Sequence, residues 1–166
     1  IGGLGHIGLQ CLDEMSAADL VAVDIKESAR QLADDLGAHY TIDPRSEDVA
    51  DVVADITDGV GAAQVLDFVG ADETTALAPD ICAAGGDHHI IGYGGHIHEP
   101  AQALVNGEFA YQGNIVGRYT ELQELVALVE RDAVDLHTTR YDLDAVNEVA
   151  EKLEHGEIDG RAVITP

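Results

Sequence analysis

The chain has 166 residues with 32 Asp and Glu against 8 Lys and Arg, a formal net charge of −24 with its eight His counted neutral. Such a field repels phosphodiester backbones and anionic lipid headgroups, which excludes nucleic-acid and membrane-surface binding as main activities. Disorder is excluded too, because Leu, Ile, Val and Phe make up 45 residues, about 27% of the chain and above the roughly 20% below which highly charged chains stay unfolded.

Taken in chain order, Ile1 is followed at once by a glycine cluster with no strand-forming residues ahead of it, so the sequence reads as a fragment. The glycines lead into a helix through Leu9 to Met15. Leu20 to Ile25 (LVAVDI) reads as a buried parallel strand, and Glu27 to Leu36 as a helix closed by Gly37. Tyr40 to Ile42 is a short strand, and Ser46 to Thr57 a helix with Val49, Val52, Val53 and Ile56 on one face. Strand Gln64 to Val69, a helix from about Asp72 to Ala84 and strand His88 to Tyr93 follow. Strict alternation with short connections predicts an α/β doubly wound parallel sheet, the Rossmann type, lacking its first strand. Further on, Phe109 to Val116 reads as a strand, and Thr120 with Gln123 opens a helix through Arg131 in a capping-box pattern. Strand Thr138 to Leu143, helix Asp144 to His155 and strand Arg161 to Thr165 complete the chain.

The charge is made from nineteen Asp, thirteen Glu and only two lysines, Lys26 and Lys152. Short carboxylates and scarce lysine predict a cytosol of very high salt, where screening over about 3 Å at 1 M removes the self-repulsion. Cys11 and Cys82 are isolated in apolar surroundings and no signal peptide or long apolar run is seen, which predicts a reducing cytoplasm.

The strongest chemical signal is Ile1-Gly2-Gly3-Leu4-Gly5-His6-Ile7-Gly8 ahead of the first helix. Glycine is needed where the backbone bends tightly, approaches a pyrophosphate and packs against a helix, whose N-terminus then offers free N–H groups. Two registers compete: Gly3, Gly5 and Gly8 as the full pattern, or Gly2 and Gly5 as its second and third glycines. Asp24 stands 19 residues after Gly5 but 16 after Gly8, and the ribose-binding acid is expected about 20 on, which favours the second register. A carboxylate at Asp24 accepts from both ribose hydroxyls and repels a 2′-phosphate, so NAD is expected over NADP.

These residues resemble the cofactor-binding half of the medium-chain alcohol dehydrogenases, zinc-dependent branch. The similarity runs through GGLGHIGLQ at 2–10, VAVDI at 21–25, DDLGAHYTID at 34–43, VLDFVG at 65–70, IIGYGG at 90–95, GNIVGRYTELQELVAL at 113–128 and GEIDGRAVITP at 156–166. The resemblance implies that Gly3 and Leu4 lie under the pyrophosphate and nicotinamide, with Gly2 and Gly5 making the turn, and that Asp24 holds the adenosine ribose. It places Val69, preceded by Phe68, on the adenine and ribose side. Ile91, Gly92 and Tyr93 fall near the nicotinamide carboxamide, and Asn114 to Val116 along a second backbone edge. Arg161 is implied as a pyrophosphate partner, a role suited to a bidentate guanidinium. The resemblance also divides the chain into an NAD-binding Rossmann domain over 1–117 and a segment over 118–166 that packs on a catalytic half.

Hydride transfer between an alcohol and NAD uses a zinc ion as Lewis acid in that family, and the family's zinc ligands have no counterpart here, so no catalytic or metal residue is expected within the chain. His88, His89, His96, His98 and Glu99 cluster within twelve residues, but no Cys or further carboxylate stands at ligand spacing, and solvated histidines are expected. Cys11 is read as packing rather than as a nucleophile. The alternative function is a stand-alone nucleotide-sensing module without chemistry. A small alcohol or aldehyde substrate and a homodimer or homotetramer through Phe109 to Val116 complete the expectations.

Overall fold

Helix α1 (Gly5–Met15) starts directly from the glycine turn, with Leu4 at its N-cap and no side-chain cap. Its buried residues, Gly5, His6, Leu9 and Gln10, share one face. The computed structural model describes residues 1–166, which fall into two compact units, Ile1–Asp43 with Arg118–Pro166 and Pro44–Gly117.

In the first unit, β1 (Val21–Val23), α2 (Glu27–Asp35) and β2 (Tyr40–Ile42) form a parallel βαβ step, with Val21 opposite Tyr40 and Val23 opposite Ile42. Gly37 follows α2 at φ +101, a conformation glycine adopts without cost, and Ala38 N–H donates back to Ala33 at 2.9 Å. Leu9, Leu20, Ala22, Ala33 and Ala38 make a small core, with Ile1, Leu12 and Leu36 packed on it. α6 (Tyr119–Glu130), β6 (Thr138–Asp142), a 3₁₀ turn at Leu143–Ala145, α7 (Val146–Glu154) and β7 (Arg161–Thr165) complete this unit, with β6 and β7 parallel. The Gln10 side chain ties α1 to the segment before β6: its Nε2 donates to Asp135 O at 2.9 Å and its Oε1 accepts from Asp135 N at 2.7 Å.

In the second unit, Asp48 caps α3 (Val49–Ile56) by accepting from Ala50 and Asp51. β3 (Ala62–Asp67), α4 (Asp72–Ile81), β4 (Cys82–Ile90), α5 (Ala101–Gly107) and β5 (Ala110–Gly113) follow. The sheet order is β3-β4-β5, all parallel, and His88 lies opposite Val65 on one side and Tyr111 on the other.

Every strand pair in both units is parallel, so the chain is α/β as the alternation of apolar runs predicts. Several boundaries differ; the expected strand Gln64 to Val69, for one, runs over Ala62–Asp67 and leaves Phe68 and Val69 beyond its end. α4 stops at Ile81 and β4 starts at Cys82, because the small residues of CAAGG suit close pairing with β3, with an irregularity between Ala62 and Gln64. The strand expected over Phe109 to Val116 is confined to Ala110–Gly113. α5 is not expected from the pattern; it follows Pro100 and buries no residue, so it has no apolar periodicity to announce it. α6 begins two residues early, where Glu121 accepts from Arg118 N–H at 2.6 Å in place of the Thr120–Gln123 arrangement.

Candidate functional site

The first group of residues surrounds the glycine turn. His6 Nδ1 donates to Gly2 O at 2.8 Å, and the His6 ring is fully buried, which anchors the turn on the inner face of α1. A side chain added at Gly2 meets open space, whereas one at Gly3 sits 3.1 Å from Gly160 O and 3.5 Å from the Arg161 side chain. Arg161, the first residue of β7, donates from Nη1 to Gly3 O at 3.1 Å. In the first turn of α1, His6 N–H donates to Gly2 O at 3.3 Å and Ile7 and Gly8 N–H to Leu4 O at 3.1 and 3.0 Å, and the Arg161 guanidinium adds a positive charge at Gly3 to the positive end of the helix dipole, an arrangement that favours an anion. Leu4 is half-exposed at the same end, and Gly5 is buried where α1 begins.

Asp24 follows β1 and is brought to the same turn. Its Oδ1 accepts from Lys26 N–H at 2.9 Å, and the backbone nitrogen of Ile1 lies 2.6 Å from its Oδ2. Only 17% of the side chain is exposed, so the carboxylate is held in one orientation with a rim open to solvent. Arg30 on α2, which sequence reasoning passes over, fixes this corner. Its Nη1 donates to Asp24 O at 2.8 Å, while Nη2 donates to Glu27 and lies 3.1 Å from Asp43. Its signal in the sequence is slight: one of few cations, six residues after Asp24.

The second group lies at the ends of β3, β4 and β5. Asp67, the last residue of β3, was not singled out by the sequence, yet it organises this end of the sheet. Its Oδ1 accepts from Val69 N–H at 2.9 Å and Gly70 N–H at 2.8 Å, its Oδ2 from the Thr74 hydroxyl at 2.7 Å, and its carbonyl from Ile91 and Gly92. Burial alone would raise this carboxyl. The nearby His88 ring, the Gly70 and Val69 amides and the Thr74 hydroxyl outweigh burial and hold it down at about 2. His88 is fully buried with Nε2 3.5 Å from Asp67 Oδ2, too long for a well-formed hydrogen bond, and both its ring nitrogens lack a hydrogen-bond partner.

Two loops cross here at backbone contact. A Cβ on Gly92 would lie 2.3 Å from Val69 C, and one on Gly70, which sits at φ +63, would lie 2.1 Å from Gly92 O. Val69 is exposed rather than part of a core, Tyr93 is 94% exposed, and Ile91 is half-buried. Asn114 N–H donates to Ile90 O at 2.8 Å and its side chain to Gln112 O at 3.0 Å. Val116 is also 94% exposed, at φ +43, a left-handed conformation unusual for a β-branched residue. Gly2 to Gly5, Asp24 and Arg161 are thus brought together in one unit, and Val69, Ile91 to Tyr93, Asn114 and Val116 line the strand ends of the other. Burial raises the thiol of Cys11 and pushes that of Cys82 to about 11, so neither is an activated nucleophile.

Residues 3–131 match the zinc-binding dehydrogenase family model. The alcohol dehydrogenase of Geobacillus stearothermophilus is 33% identical across 99% of this chain and 48% of its own length. The NAD-dependent alcohol dehydrogenase of Sulfurisphaera tokodaii is 29% identical over the same shares. The crystal structure of the alcohol dehydrogenase from Aeropyrum pernix superposes with a TM-score of 0.94 at 39% identity, over 99% of this chain and 48% of that one. The chain spans about half the length of the curated relatives it matches. With a family match over most of its residues and glycine turn, acid and strand ends arranged as described, the chain belongs to the zinc-binding dehydrogenase family.

Proposed function

We propose that this chain is the NAD-binding portion of an alcohol dehydrogenase that transfers hydride between a small alcohol or aldehyde and NAD. The observation that carries the proposal is the convergence at Gly3 of the Arg161 guanidinium and the uncapped N-terminus of α1, with the Asp24 carboxylate at the same corner. The residues fit a dinucleotide. The N-terminus of α1 offers the positive end of its dipole to a pyrophosphate, Arg161 adds a fixed positive charge at Gly3, and the free rim of Asp24 accepts from ribose hydroxyls. When bound, NAD supplies the hydride acceptor. The residues of the chain orient it, with Val69 on the adenine and ribose side and the backbones of Ile91, Gly92, Tyr93, Asn114 and Val116 along the nicotinamide side. The amides, lone carboxylate and guanidinium of this site are not a zinc donor set. The catalytic zinc is assigned to residues outside 1–166, with 118–166 packing against that half while lending Arg161 to the cofactor site, which 1–117 otherwise carries.

The composition supports further parts of the proposal. Two lysines among so many carboxylates suit a halophile's cytoplasm, and no helix is long and apolar enough to cross a membrane. The exposed apolar side chains of Ile115 and Val116 just beyond β5 suit pairing into a dimer or tetramer. The test is NADH formation by the full-length protein, in molar salt, on a panel of short alcohols with and without a zinc chelator. Chelator-sensitive turnover with NAD is expected. NAD binding without turnover on any alcohol would point instead to a nucleotide-sensing module, and absence of NAD binding would refute the proposal.

A further inference from the structure

We propose that Asp72, His96 and His98 form a binding site for a divalent transition-metal ion, separate from the dinucleotide site and from any zinc held outside 1–166. The fold assembles this set from two places. Asp72 opens α4, and His96 and His98 sit on the irregular segment between β4 and α5. In sequence the two imidazoles lack a carboxylate partner at ligand spacing. The missing acid comes from 24 residues upstream, because the loop after β4 folds back on the start of α4.

Four contacts hold that fold in place without any ion. Gly94 and Gly95 N–H donate to Gly70 O, His96 N–H donates to Asp72 Oδ1 at 2.6 Å, and the Thr75 hydroxyl donates to His96 O at 2.7 Å. A Cβ at Gly95 would fall 2.4 Å from Asp72 N, so only glycine permits this approach. The loop is therefore set by two backbone bonds and by the Asp72 and Thr75 side chains, and His96 and His98 are brought beside Asp72 as a result. One ligand atom from each of the three lies within 4.8 Å of the others, and the His96 and His98 ring centres are 5.6 Å apart. His96 Nδ1 and Asp72 Oδ1 are 3.4 Å apart, close to the roughly 3.3 Å edge of a tetrahedron with bonds of about 2.0–2.1 Å.

Two imidazoles and one carboxylate select zinc, cobalt, nickel or copper over magnesium or calcium, which prefer all-oxygen shells. All three residues are exposed, so the ion keeps open positions for water. The dipole at the start of α4 opposes a cation, and the carboxylates of Asp72 and Glu73 in that first turn offset it.

The experiment counts cobalt ions bound per chain by equilibrium dialysis of the full-length protein after chelator treatment, in molar potassium chloride to suppress loose association with the acidic surface. The His98→Ala variant removes a ligand while leaving the four loop contacts intact. Circular dichroism confirms that it folds. The wild type is expected to bind one cobalt ion more than His98→Ala, and Asp72→Asn is expected to weaken that ion's binding at least tenfold. Ions held outside 1–166 are common to all variants and cancel. Equal cobalt counts for wild type and His98→Ala, or an affinity unmoved by Asp72→Asn, overturn the assignment. Neither result depends on NAD binding or turnover.

Discussion

Arg161 and Gly3 stand 158 positions apart and are joined by a 3.1 Å hydrogen bond from guanidinium to carbonyl. The bond places a cation at the start of α1, where the family's glycine turn would meet pyrophosphate. Arg161→Gln keeps a donor but removes the charge and the fork. It is expected to weaken NAD binding by the full-length protein about tenfold, near 1.4 kcal/mol, with little loss of stability because the bond is exposed. NADH fluorescence titration checks this, and a change below twofold would detach Arg161 from the pyrophosphate.

On the proposed reading, the Asp24 carboxylate selects NAD over NADP. Asp24→Ser removes the acceptor for two ribose hydroxyls and the repulsion of a 2′-phosphate. It is expected to lower NAD affinity by about 1–2 kcal/mol and to raise NADP affinity. Paired titrations with the two cofactors give the ratio. An unchanged ratio removes the carboxylate from this role.

Asp67 carries a pH signature. Its folded value of about 2 lies below the ordinary 3.8. A carboxylate depressed on folding stabilises the protein above its unfolded value and loses that contribution as pH falls through the folded one. Between about pH 4 and about pH 2 the wild type should therefore lose about 2 kcal/mol that Asp67→Asn does not. Denaturant midpoints of both proteins across that window give the difference. Parallel curves would mean that the hydrogen bonds to Asp67 add nothing in the folded state.

Gly92 has no room for a methyl group, since Val69 C would stand 2.3 Å from it. Gly92→Ala must push apart the loops after β3 and β4. It is expected to cost about 1–3 kcal/mol of stability and to weaken NAD binding as well. Chemical denaturation with a parallel NADH titration separates the two effects. A variant of wild-type stability would show that the crossing loops yield easily.

Much of this architecture is local chemistry and could be read before folding. The glycine turn, Asp24 at the end of LVAVDI and Gly37 after α2 each declare themselves within a few residues, because turn geometry and helix closure depend on short-range sterics. What stayed hidden depends on register. Asp67 meets His88 only because β3 and β4 pair in parallel, with Val65 opposite His88. Nothing in a linear pattern states which residues of two strands will stand level. Likewise Asp72 reaches His96 through a backbone crossing at Gly70 and Gly92. α5 escaped because it buries no side chain, so neither hydrophobic period marks it.

Arg30 engages Asp24, Glu27 and Asp43, and Lys26 donates to the carbonyl of Gly156 just beyond α7. In a chain with eight cations and 32 acids, such bonds make mutational tolerance lopsided. Exchanging a surface carboxylate for a neutral residue relieves repulsion and costs little. Exchanging Arg30 strands several partners at once: the Asp24 carbonyl and the Glu27 and Asp43 carboxylates. Substitution in this protein is thus freer among its surface acids than at Arg30.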